Sequence, residues 1–182
     1  MAKSKPAKPA PAADAKPAVH PDIRPGQSIK LLKELHILTR EGQLNQDSRR
    51  KLKQVYHLYQ FIEPLLAEVL AGTGDLTLAD HGAGKSYLGF ILYDLFLKSK
   101  EAGTVYGIET RKELVAHSRE LAARLDFPRM KFLDVSVEES TGSAELPDRI
   151  DVVTALHACN TATDDAIRFA LAKQARCEVL VP

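Results

Sequence analysis

Residues 75–86 read Asp75-Leu76-Thr77-Leu78-Ala79-Asp80-His81-Gly82-Ala83-Gly84-Lys85-Ser86. A short apolar run, Leu76 to Ala79, ends on an acid, and two glycines one residue apart follow. Leu88, Ile91, Leu92, Leu95 and Phe96 then recur at helical spacing. The pattern predicts a strand ending at Asp80, a glycine turn, and a helix over Lys85–Lys98. Downstream the alternation continues. Strands are predicted over Thr104–Ile108, Met130–Val135, Asp151–Leu156 and Glu178–Val181. Helical spacing joins Leu114, Val115, Leu121 and Leu125, and a further helix is predicted over Asp164–Ala175. Strands and helices in strict alternation imply a parallel sheet wound by right-handed crossovers, so the body is α/β.

Upstream the texture is helical. Ser28 is an N-cap candidate, and Leu31, Leu35 and Leu38 suggest a short helix ending near Glu41-Gly42. A second helix starts at Asp47-Ser48 and carries Leu52, Val55, Tyr56, Tyr59, Ile62, Leu65, Leu66, Val69 and Leu70 to Gly72, with Pro64 expected to kink or split it. Before that, residues 1–26 hold six of the ten prolines, mixed with Ala and Lys. Too little apolar surface lies there to offset ordering entropy, so the stretch reads as a flexible basic tail. Three regions follow: the tail 1–26, a helical segment 27–72 and the α/β domain 73–182.

The chain has 182 residues, and its hydrophobic fraction of 45% suits one packed domain plus an extension. No apolar run is long enough to span a membrane, and the basic N-terminus lacks the apolar core of a secretory signal. Cys159 and Cys177 make neither a disulfide framework nor a four-cysteine zinc site, which favours a reduced, cytoplasmic protein. A formal charge of +1 conceals an asymmetry. Residues 1–26 carry five Lys/Arg against two Asp, and residues 27–57 carry seven against three acids, so the remaining 125 residues sum to −6. A basic front ahead of an acidic body suits a polyanionic partner, RNA foremost; a solubilising tail is the plainer alternative. Arg49, Arg50, Lys51 and Lys53 crowd the first turns of the long helix, where cations oppose the helix dipole, so local stability does not explain them; they suit phosphates, and a solvated face is the plainer alternative.

Three ligand chemistries compete for the glycine loop. A dinucleotide fingerprint needs a third glycine where Tyr87 stands. A phosphate-binding P-loop matches Gly84-Lys85-Ser86 but has Ala79 in place of its first glycine, and Asp80 would set a carboxylate against phosphate. S-adenosylmethionine (SAM) has no phosphate; it has a cationic amino group and a sulfonium. An acid at the strand end suits that charge, and Gly82 and Gly84 let the backbone approach closely. A second acid should then end the next strand to accept two ribose hydroxyls, by the logic that operates in dinucleotide sites. Glu109 does so, 29 residues after Asp80.

These residues resemble those of class I SAM-dependent methyltransferases over roughly residues 45–182. The stretch Leu156-His157-Ala158-Cys159-Asn160-Thr161-Ala162-Thr163-Asp164-Asp165 is similar to a bacterial branch that reads Leu-His-Ala-Cys-Asp-Thr-Ala-Thr-Asp-Asp after its fourth strand. The resemblance implies a Rossmann-like sheet of order 3-2-1-4-5. It also implies a methionine-side loop at Asp80, Gly82 and Gly84, a ribose acceptor at Glu109, and an adenine-side segment at Asp134 and Ser136. The carboxylate of Asp80 would face the methionine end. Two departures stand out. Asn160 replaces the expected Asp, and the sequence stops after a fifth strand where the superfamily usually has seven.

The residues after the fourth strand sit where open α/β sheets bind ligands. His157 suits a base near neutral pH and Asn160 suits an amide or base edge of the acceptor; a structural histidine is the plainer alternative. Cys159 reads as a small buried thiol rather than a nucleophile. Thr161 or Thr163 should cap the helix that follows, with Asp164 and Asp165 in its first turn. His157 and Cys159 make no convincing metal pair. Methyl transfer to an unidentified acceptor, RNA first, is the leading expectation. A non-catalytic SAM- or nucleic-acid-binding module on the same fold is the alternative.

Overall fold

A computed structural model describes residues 21–156 and 161–181. Most of the predicted tail, together with His157, Cys159 and Asn160, lies outside the described residues. Five strands form one sheet: β1 Thr77–His81, β2 Thr104–Glu109, β3 Met130–Asp134, β4 Val152–Leu156 and β5 Cys177–Val181. All neighbours are parallel, in the order β3-β2-β1-β4-β5. The parallel α/β sheet is the one expected from the alternation, and its Rossmann-like strand order is the one that the resemblance implies.

Side chains alternate between the two faces of each strand. Leu78 and Val105 join a cluster with Leu31, Leu32, Leu52, Ile62 and Phe90, whereas their neighbours Ala79 and Tyr106 join Leu133, Val153 and Phe169 on the other face. Both faces are therefore covered, as a parallel sheet requires. The first cluster draws on two upstream helices, α1 Ile29–Glu34 and α2 Gln46–Thr73. Leu31, Leu32, Ile62 and Leu66 expose essentially nothing, and each such side chain stabilises the fold by about 2 kcal/mol.

α1 differs from its predicted limits, and α2 keeps its limits to within a residue but not the expected break. α1 stops at Glu34 because His36 takes a left-handed conformation (φ 55°). The next two amides, of Ile37 and Leu38, both donate to the Leu32 carbonyl, at 2.8 and 3.0 Å. Leu35, Ile37 and Leu38 are buried all the same, so a folded turn imitates helical spacing. α2 runs unbroken through Pro64. The proline lies on the exposed side, between buried Ile62 and Leu66, so the carbonyl that it leaves without an amide donor is not forced into the core. Asn45 caps the start, accepting from the Ser48 amide at 2.8 Å, and left-handed Gly74 ends the helix.

After β1 the chain enters α3 Tyr87–Leu92, which continues through a π-helical segment, Tyr93–Leu97, into α4 Lys98–Lys100. The single predicted helix thus contains a π segment. Within it Asp94 is buried and accepts from the Ser28 amide at 2.8 Å, tying the start of α1 to this helix. Arg24 ties the chain ahead of α1 to α2: its guanidinium carbon lies 4.6 Å from the centre of the Tyr59 ring. The remaining helices are α5 Lys112–Leu125, α6 Val137–Thr141 and α7 Thr161–Ala172. The periodicity of the sequence does not disclose α6, and Thr161 and Thr163 fall inside the first turn of α7 rather than before it. No helix among the described residues is long and apolar enough to cross a membrane.

Candidate functional site

The strand order reverses direction at β1, flanked by β2 and β4, and open α/β sheets bind ligands at the carboxyl ends of such strands. The loop there is built from left-handed residues. Gly82 (φ 63°), Gly84 (φ 56°) and Ser86 (φ 51°) alternate with Ala83 and Lys85. A side chain at either glycine would add roughly 1–2 kcal/mol of backbone strain. The Ala83 amide donates to the Ile108 carbonyl at 2.9 Å, which pins the loop to the end of β2.

Asp80 lies beneath this loop and is only 3% exposed. One carboxylate oxygen accepts from Ser86 Oγ at 2.9 Å and the other from Thr154 Oγ1 at 3.1 Å. Asp80 therefore fastens β1, the start of α3 and β4 together. Burial pushes its carboxyl up to about 6, against the Ser86, Thr154 and Gly89 hydrogen bonds, which pull the other way. Ser86 is fully buried, and its bond to Asp80 holds the strained residue in place.

Glu109 ends β2 with 7% exposure. Its Oε2 accepts from the Gly84 amide at 2.7 Å, so the second acid and the second glycine meet directly. Backbone amides of Thr110 and Arg111 reach Oε1 at 3.0 and 3.1 Å. The Arg111 side chain adds Nε at 3.0 Å and Nη2 at 3.2 Å. Burial alone would raise this carboxyl; the Arg111 and backbone donors outweigh it and hold the group down to about 2.

Asp134 ends β3 in register with Glu109 and faces Lys112 Nζ at 3.7 Å. Ser136 caps α6: its Oγ accepts from the Glu139 amide at 3.2 Å and donates to the Glu139 carboxylate at 2.9 Å. The sheet thus sets Asp80, Gly82, Gly84, Glu109 and Asp134 along the carboxyl ends of three adjacent strands. His81 points to the opposite layer, buried, with its ring 5.4 Å from Phe169 and burial lowering its pKa. Sequence reasoning missed Arg111 and Thr154, and it read Ser86 as a helix start or the end of a P-loop match, not as a partner of Asp80. Thr154 is the register partner of Asp80, and no sequence pattern discloses register between non-consecutive strands. Arg111, two residues from Glu109, was the one visible signal.

A wound parallel sheet of order β3-β2-β1-β4-β5 defines a Rossmann-like α/β domain. The model of a methyltransferase-domain family matches residues 50–182, and the chain belongs to that family. Among curated proteins, none matches. Among solved structures, the bifunctional kinase-methyltransferase WbdD aligns at a TM-score of 0.53 and 19% identity, over 68% of this chain and 28% of that one. An rRNA methylase from Streptococcus thermophilus gives 0.48 and 15%, over 62% of each chain. TrmK of M. capricolum, in complex with S-adenosylhomocysteine, gives 0.45 and 12%, over 58% and 45%. At such identities the likeness to WbdD concerns the fold, and the matched part spans 28% of WbdD.

Proposed function

We propose that this chain binds SAM at the carboxyl ends of β1 and β2 and transfers its methyl group to a nucleophilic acceptor. The observation that carries the reading is the meeting of Glu109 and Gly84, an acid and a bare backbone turn 2.7 Å apart at the sheet's reversal point. The residues fit the cofactor. A Cβ at Gly84 would come within 3.7 Å of the Arg111 guanidinium and 4.0 Å of the Glu109 carboxylate, filling the approach that a ribose would use.

SAM, when bound, supplies an electrophilic methyl group on a sulfonium. Gly82 and Gly84 would hold its methionine side by close backbone approach, and Glu109 would accept from the ribose hydroxyls. Asp134 and Ser136 would flank the adenine. Asp80 holds the loop rigid and adds negative potential beneath a cationic ligand, an effect that low local dielectric strengthens. His157 and Asn160, which follow β4 in sequence, are assigned to the acceptor. Such a site accelerates transfer mainly by holding the reactants in line and excluding water.

Calorimetry of the purified chain with SAM and S-adenosylhomocysteine, against ATP and NAD, tests the reading. Saturable binding of the first two alone supports it; preference for ATP or NAD refutes it. Asn160 in place of the expected Asp favours a second reading, a module that binds SAM without turnover. Turnover gained in Asn160→Asp but absent from the parent chain would select it.

A further inference from the structure

The structure assigns a single-stranded nucleic-acid docking face to the outward side of α2, from Arg50 to Phe61. Buried Ser48, Leu52, Tyr59, Ile62 and Leu66 mark the helix's inner side. Opposite them, at spacings of three and four, stand Arg50, Lys53, His57 and Phe61, all exposed. At 1.5 Å per residue this row extends about 16 Å along the helix. No carboxylate occurs between Ser48 and Ile62. Arg49 lies 3.7 Å from Asp22, while Arg50, Lys51 and Lys53 have no ion-pair partner among the described residues. Cations in the opening turns of a helix oppose its dipole, so an external polyanion is the physical reason for them.

The aromatic end of the row separates nucleic acid from other polyanions. Phe61 is 64% exposed, and the His57 ring meets it edge-on at 4.9 Å between centres. A solvent-facing aromatic beside cations offers stacking for an unpaired base while its neighbours take the phosphates. An interfacial membrane helix would need a band of apolar side chains on one side, and here Phe61 is the one large apolar side chain of α2 that is exposed, the rest of the row being Arg50, Lys53 and His57. At the N-terminal end of α2, on the side of Ser48 rather than of the row, lies a cavity of about 720 Å³ lined by Lys33, His36, Arg40 and His117 as well as by Asn45 and Ser48. Its one lining carboxylate, Glu34, is held by Arg124 at 2.9 Å. Strand binding stands on these observations; that the bound strand is also the methyl acceptor rests on the methyltransferase reading.

Fluorescence anisotropy of the full chain with a short labelled oligouridylate, and with its deoxy counterpart, tests the assignment. With three or four phosphates neutralised, affinity should fall roughly 20- to 50-fold between about 50 and about 200 mM salt. Arg50→Glu/Lys53→Glu should weaken binding by at least about tenfold, and Phe61→Ala by about fivefold or more. SAM affinity should be unchanged in both. Tighter binding of the ribo strand identifies RNA, and equal binding identifies backbone and stacking recognition common to both. Equal strand affinity in the charge-reversed and parent chains overturns the assignment, as does binding to phosphatidylserine vesicles with none to either strand. Strand binding by a chain that fails to bind SAM would leave the docking face standing and remove methyl transfer.

Discussion

Arg111 grips the carboxylate of Glu109 from the side, with Nε 3.0 Å from one oxygen and Nη2 3.2 Å from the other. The Gly84 amide takes a third approach at 2.7 Å. A ribose diol at Glu109 and the Arg111 guanidinium would compete for the same two oxygens. The arginine side chain is 59% exposed and so free to swing into solvent, whereas the backbone donors are fixed.

The competition gives opposite signs for two substitutions. Arg111→Ala removes the guanidinium from both oxygens, leaving the backbone amides of Gly84, Thr110 and residue 111 as donors, and should tighten SAM binding severalfold. It should scarcely alter stability, because an exposed partner contributes little. Glu109→Gln removes the charged acceptor and should weaken SAM binding roughly 10- to 100-fold, the range for hydrogen bonds to charged groups. Calorimetry on both variants reads both signs. Weaker binding in Arg111→Ala would make the arginine a ligand contact instead.

The Asp80 carboxyl, lifted to about 6 by burial, imposes a stability profile of its own. Its neutral form is favoured in the folded chain, so this contribution is full below the ordinary value of 3.8 and is lost as pH rises through about 6. The span corresponds to roughly 3 kcal/mol. Asp80→Asn keeps the shape and has no charge to bury. Urea unfolding from pH 4 to pH 7 should show the variant gaining on the parent chain by that order. A constant difference across the range would mean that Asp80 ionises without cost.

Gly84→Val combines a left-handed backbone (φ 56°) with the space beside Glu109 and Arg111. It should abolish SAM binding while leaving the sheet folded. Gly82 has the same backbone sign, but a Cβ there would meet no atom within 4 Å. Gly82→Ala should therefore cost backbone strain of about 1–2 kcal/mol and weaken SAM binding less. Circular dichroism and calorimetry on the pair separate strain from obstruction; equal SAM affinities in the two would remove Gly84 from the site.

The strands were legible because each is a short apolar run bounded by turns and alternates with helices, which implies a parallel sheet; their order, β3-β2-β1-β4-β5, was legible only through the resemblance to methyltransferases. The glycine loop and both acids were legible because their chemistry is local in sequence. What misled lay in helix limits. Ile37 and Leu38 are buried in a turn that keeps helical spacing, and Pro64 faces solvent, where its missing amide is tolerated. The five residues of α6 are too few to show periodicity, although Ser136 and Glu139 form a capping box that marks its start. The bracing of Asp80 by Thr154 depends on pairing between strands 74 residues apart. Only the fold creates that contact.

Gly89→Ala sets helix propensity against packing. Gly89 lies inside α3, where Ala in its place would ordinarily stabilise the helix by about 1 kcal/mol. A Cβ there, however, would stand 2.6 Å from Ser86 Oγ and 3.2 Å from Asp80 Oδ2. Both are short side chains in buried positions, joined by a 2.9 Å hydrogen bond, so neither can move without breaking it. Overpacking of this kind costs about 1–3 kcal/mol, and loss of the Ser86 bond frees a left-handed residue from the side-chain contact that restrains it. Thermal unfolding should therefore occur several degrees lower in Gly89→Ala, with SAM affinity reduced as the loop loosens. A rise in the melting temperature with SAM binding intact would show that the Asp80–Ser86 bond is dispensable, and that the loop is held by its glycines alone.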